Sequence, residues 1–184
     1  MRVSAYWRAP LEKRARLREV AARHIAQHGL ASFNLHELAL EAGMKFDIAR
    51  HHYRTNQLLL LDVVHHYHAA LGEALTEPIL HARTLPQPER LYALIAAILD
   101  ALIEAGDWHR AAMTTLAAYP AIAHETRNAD LWLHTELADS LQPRCEILAR
   151  SLLILAAHWA LRLDDADAPT RAGCSAILAN LAGH

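Results

Sequence analysis

Two short apolar stripes meeting at a glycine constrain this chain more than any other feature. Residues 34–53 read Asn34-Leu35-His36-Glu37-Leu38-Ala39-Leu40-Glu41-Ala42-Gly43-Met44, then Lys45 to His52, then Tyr53. Leu35, Leu38, Ala39 and Ala42 recur at three- and four-residue spacing, which gives a helix one apolar side. Asn34 stands where a side-chain oxygen caps a helix start by accepting from the amide three residues on, and Glu37 stands at the reciprocal capping-box position. Ala39 is small where a second helix must cross closely, and Gly43 falls where the chain leaves the helix at positive φ. After the turn, Ile48, Ala49, His52 and Tyr53 supply an inner side and leave Lys45, Phe46, Arg50 and His51 outward. Two helices so joined form a helix-turn-helix, whose second helix fits a DNA major groove.

Charge is distributed to match. Residues 1–55 hold ten Lys/Arg against five Asp/Glu, a balance of +5, and five His besides. Residues 56–184 hold eight against fifteen, a balance of −7, so the net charge of −2 conceals a basic front and an acidic back. Only the front suits a polyanion.

The rest of the chain reads as helix. A helix is expected from about Leu11 to His28, with Pro10 in its first turn and Gly29 as a left-handed cap. Thr55 caps a fourth helix through about Leu75, and Pro78 and residues 84–88 break the pattern. Glu89 to Ala105 is strongly periodic and ends at Gly106; Asp107 then caps a helix from Trp108 to about Ala118. Further helices are expected over His124–Leu141, from Pro143 to Leu163, and from Thr170 to Ala182. No stretch alternates with period two, so no strand is assigned and the count is about nine helices. With 53% apolar residues, the expectation is an all-α chain. Residues 1–55 are expected as a three-helix DNA-binding domain, and residues 56–184 as a larger helical domain.

Several function classes find no support. There is no phosphate loop, nucleophile elbow, paired-cysteine site or HExxH motif, so no enzyme and no cofactor is expected. Cys145 and Cys174 form no CxxC pair, and the first residues lack an apolar run of signal-peptide length; a reduced cytoplasmic setting is expected. The longest apolar run, Leu152 to Leu161, is about half a membrane span. His65, His66 and His68 raise the question of metal, yet no Cys, Asp or Glu completes a set beside them, so none is assigned.

Residues Ala22 to Leu60 resemble the DNA-binding domain of the tetracycline-repressor-like (TetR/AcrR) regulators. The matching pieces are Ala26-Gln27-His28-Gly29-Leu30, Phe33-Asn34-Leu35-His36-Glu37-Leu38-Ala39, Glu41-Ala42-Gly43-Met44, and His51-His52-Tyr53 leading into Leu58-Leu59-Leu60. The resemblance implies a homodimeric repressor. Its two recognition helices would enter successive major grooves of a near-palindromic double-stranded operator, and a small molecule would release it by entering residues 56–184, which the resemblance makes the effector-binding and dimerisation domain. Lys45 replaces the usual Ser at the start of the recognition helix, Asp47 and Ile48 stand where small or hydroxyl residues are common, and Asn56 replaces a usual lysine. These departures bear on the operator rather than the fold.

The candidate DNA contacts are Asn34, Lys45, Phe46, Arg50, His51, Tyr53 and Thr55. Tyr53 reads equally well as a lid between helices, and Phe46 as a packing residue. For an apolar or aromatic effector the candidates are Tyr67, Tyr92, Trp108, Met113 and Trp132, with His134 beside them. The last two helices are the expected dimer surface, with Ala156, Ala157 and Ala160 allowing close approach and Leu152, Leu153, Trp159, Ile177, Leu178 and Leu181 supplying area. The alternatives are a ligand-independent chromosome-binding or cell-division protein of this fold, and a helical small-molecule-binding protein without DNA activity.

Overall fold

The computed structural model describes residues 5–87, 89–140 and 146–160, with residues 173, 176 and 177. Among them are eight helices and no strand: α1 (Ala5–His28), α2 (Leu35–Glu41), α3 (Phe46–His52), α4 (Asn56–Ala82), α5 (Glu89–Glu104), α6 (Asp107–Ala118), α7 (Pro120–Ser140) and α8 (Glu146–Ala160). The expected ninth helix over Thr170–Ala182 lies outside the described residues, apart from residues 173, 176 and 177, which are helical.

The apolar stripes read from the sequence are the ones that close the core. In α1, Leu17, Val20, Ala21 and Ile25 are buried; in α5, so are Leu91, Leu94, Ile95, Ile98, Leu99, Leu102 and Ile103. α2 and α3 pack on each other and against α1, which also lies along α4 and α6. α4 packs on α5, α6 and α7, while α8 covers α5 and α7. One continuous apolar cluster therefore runs from Leu17 in α1 to Ala160 in α8, joining a head of α1–α3 to a body of α4–α8. No helix is long and apolar enough to cross a membrane among the described residues.

Several expected boundaries move. α1 begins at Ala5 rather than Leu11, so Pro10 lies inside it and removes one backbone donor. Pro78 does not break α4, which continues to Ala82 with Leu75, Ile79 and Ala82 buried along one side. An interior proline costs about 3 kcal/mol; burying an isoleucine such as Ile79 returns about 1.5–3 kcal/mol, and the neighbouring buried residues carry the helix past the break. α7 starts at Pro120, four residues before the expected His124, because a proline at the first helical position loses no intrahelical bond.

Asp107 is the first residue of α6 rather than its cap. Gly106 occupies the cap position at φ 49°, ψ −120°, where a side chain would be strained. It closes α5 by donating to the Ile103 carbonyl (3.0 Å) and opens α6 by accepting from the Arg110 amide (3.1 Å).

Part of the expected dimer surface is internal. Leu152, Ala156 and Ala160 are buried within a single chain, because α8 lies on α5 and α7. Leu153 and Ala157 are half-buried, whereas Ile154, Leu155 and Ile177 face outward. Leu178, Leu181 and the Trp159 side chain lie outside the described residues.

Candidate nucleic-acid interface

The turn between α2 and α3 fixes the exposed face. α2 opens on Asn34, whose Oδ1 accepts from the His36 amide at 2.9 Å, one residue short of the expected partner. At its other end the Gly43 amide donates to the Leu40 carbonyl (3.0 Å) and the Met44 amide to the Ala39 carbonyl (2.9 Å). These are the two closing bonds of a Schellman motif, and Gly43 takes the left-handed position at φ 67°. Ala39 and Ala49 are fully buried between the two helices, and Met44 seals the turn. α3 starts from Lys45, which is extended (φ −68°, ψ 141°) and supplies no side-chain cap.

This geometry turns Asp47, Arg50, His51 and Arg54 to one side, where they line an open concavity of about 510 Å³. The spacing is i, i+3, i+4 and i+7, one face of a helix carried just past its end. All four are exposed, as is Lys45 at the head of the helix. Phe46 is half-buried, its ring centroid 5.2 Å from that of His36. His52 is half-buried; burial first, then the charges of His51, Arg14 and Lys13, lower its pKa and favour the neutral ring.

Tyr53 sits differently from an outward phosphate donor. Its ring is 2% exposed, and its hydroxyl donates to Asp62 of α4 in a short contact. The Arg14 Nε of α1 donates to that hydroxyl at 3.2 Å. Asp62 also receives Arg14 at 2.9 Å and Arg18 at 3.3 Å. Burial and the hydrogen bond to Asp62 push the Tyr53 hydroxyl up to about 12. Burial alone would raise the Asp62 carboxyl, but the hydrogen bonds from Tyr53 and Arg14 and the two guanidinium charges outweigh it and hold the group below its ordinary value. Tyr53 is thus the lid between helices. Asp62, Arg14 and Arg18 do not stand out in the sequence; the one available signal is a lone aspartate within the apolar run of α4.

Thr55 accepts from the Leu58 amide at 3.3 Å and caps α4. Asn56 donates to the Phe33 carbonyl at 3.3 Å, tying the start of α4 to the segment before α2.

The effector candidates separate. Tyr67 and Trp108 line a cavity of about 220 Å³ between α4 and the α5–α6 junction, together with His66, Leu71, four alanines and the carboxylate-bearing Glu104. His66 meets Trp108 edge-on at 4.7 Å between centroids, and burial, then the charge of Arg18, lowers its pKa. Met113, Trp132 and His134 are half-buried but do not line this cavity; Trp132 lies against Gly72. Tyr92 is exposed at 42%. A residue missed in the sequence, His109, is 1% exposed and stands between the Tyr67 hydroxyl (2.8 Å) and the Ala157 carbonyl of α8 (3.0 Å). The carbonyl can only accept, so Nε2 carries a proton and donates to it. Among the described residues no group of three or more His, Cys, Asp or Glu could hold a metal ion. His65 is exposed whereas His68 is buried.

No family model and no curated protein matches the sequence. Solved structures do match. A regulatory protein in the TetR family from Rhodococcus RHA1 superposes with a TM-score of 0.74 at 18% identity, covering 93% of this chain and 97% of that one. The TetR family transcriptional regulator PfmR from Thermus thermophilus gives 0.68 at 18% identity, covering 90% and 93%. The superantigen PfiT gives 0.59 at 19% identity, covering 94% and 97%. The fold is that of the TetR-family regulators, over nearly the whole length.

Proposed function

We propose that this chain is a TetR-like transcriptional regulator, a homodimeric repressor that binds a near-palindromic operator and is released by a small apolar or aromatic molecule. The observation that carries the reading is the exposed face of α3. Asp47, Arg50, His51 and Arg54 share one open surface, with Lys45 at its head, on a helix whose preceding turn is held by two backbone bonds. A basic front of +5 at residues 1–55 supports the same reading, because phosphate contacts supply most non-specific affinity. Lys45 and Arg54 serve phosphates at the two ends of the helix, and Arg50 serves a base edge. His51 lies beside Arg50 on the same face, near the backbone. Asn34 and Thr55 are exposed helix caps whose side chains stand at the margin of this head.

Residues 56–184 form the effector and dimer part. The cavity bounded by Tyr67, Trp108 and His66 is the effector site, and its aromatic walls suit a flat apolar molecule. The outward Ile154 and Leu155 of α8 form the described part of the dimer contact. This dimer working in the cytoplasm presents two copies of α3 to one duplex.

The test is selection of bound fragments from random DNA at low salt, followed by gel shift on the recovered sequence. One inverted repeat supports the reading; scattered sites favour a chromosome-binding protein, and no enrichment removes DNA altogether. Arg50→Ala should weaken binding to the recovered repeat by about 1–3 kcal/mol. An unchanged affinity would take Arg50 off the base-reading face.

A further inference from the structure

Asp47 is out of place on a surface built to meet a polyanion. It stands in the first turn of α3, exposed, on the same face as Arg50, His51 and Arg54. Among the described residues no ion pair joins it to any of these cations. Phosphate offers a carboxylate only repulsion. Residues at the start of a recognition helix approach base edges rather than the backbone, and there a carboxylate finds donors.

We infer that Asp47 makes the operator specific for cytosine, accepting from the N4 amino group, beside a guanine bound by Arg50. The inference rests on the reading of α3 as a recognition helix and adds the base that it selects. The major groove presents two exocyclic amino donors, adenine N6 and cytosine N4. Adenine sets its N7 acceptor next to the amino group, so it suits an amide, which both donates and accepts, better than a carboxylate. Thymine O4 and the guanine O6/N7 pair are acceptors and repel the charge. Asp47 therefore repels two bases and disfavours adenine as well as accepting cytosine.

Arg50 lies three residues on, a rise of about 4.5 Å along the helix, close to the base-pair step of about 3.4 Å. Its guanidinium matches guanine O6 and N7. The two side chains together select adjacent G·C pairs with a fixed cytosine, repeated with inverted polarity in the second half-site.

Selection from random DNA with the full-length wild-type protein, Asp47→Ala and Asp47→Asn tests this directly. For the wild type, cytosine should be favoured at one mirrored position by about 5- to 150-fold. Asp47→Ala should lose that preference while keeping the neighbouring guanine, and Asp47→Asn should move it towards adenine. A carboxylate that merely steadies the first turn of α3 would change the melting temperature and leave base choice alone; base preferences in both variants identical to the wild type would overturn the inference. If wild type and variants all fail to enrich any sequence, the DNA-binding reading itself falls and takes this one with it.

Discussion

Asp62 is the residue around which the head is organised. One carboxylate of α4 holds Tyr53 from the end of α3 and Arg14 and Arg18 from α1. Sequence could not reveal this, because the partners lie 9, 44 and 48 positions away. Periodicity reports which side of a helix is apolar, not which polar group on another helix completes a partly buried cluster. Tyr53→Phe removes one donor to a charged acceptor and should cost about 1.5–3 kcal/mol in thermal or urea unfolding. The pH dependence follows from the raised hydroxyl. An unfolded tyrosine ionises near 10, the folded Tyr53 only at about 12. Between those values the unfolded state binds fewer protons, so the stability present below pH 10 is lost as pH rises. Urea midpoints should fall across that window in the wild type and fall less in Tyr53→Phe; equal slopes would show that the hydroxyl is not protected.

At the scale of elements, the turn at Gly43 decides how α3 is presented. A β-carbon there would meet Arg16 at 3.6 Å, an ordinary contact, so the obstacle to substitution is the backbone angle rather than space. Gly43→Ala should cost about 1–2 kcal/mol, the penalty of a left-handed L-residue, in thermal melts. A stabilised or unchanged variant would show that the turn relaxes to another path. The helix-turn-helix is legible because every signal in it is local: the Leu35–Ala42 stripe, the glycine at positive φ, and the Asn34 cap, displaced by only one residue. Pro78 misleads because its local cost is visible in sequence, whereas the buried Ile79 and Ala82 that offset it depend on packing far along the chain. Tyr67 and Trp108 do line a cavity, but Tyr92 lies on the exposed side of α5, where a tyrosine satisfies the same helical spacing.

For the whole molecule, the proposed homodimer requires a surface that joins two copies. Leu152, Ala156 and Ala160, expected at that contact, are instead committed to their own core. The alanine spacing that permits one helix to approach another is satisfied by α5 and α7 of the same chain, and sequence alone cannot say which helix approaches. Ile154, 58% exposed, is left as the apolar centre of the outward side of α8. Ile154→Glu should convert the proposed dimer to monomer in sedimentation velocity, with the melting transition retained because the residue is outside the core. A dimer that persists would move the contact away from α8.

The cluster at Asp62 has a mechanical corollary. With its rear end pinned to α1 and α4 through a single carboxylate, α3 does not pivot apart from them. Under the proposed release by a small molecule, a message from the body would then arrive as a tilt of the entire head, like a hand turned at the wrist rather than a finger bent.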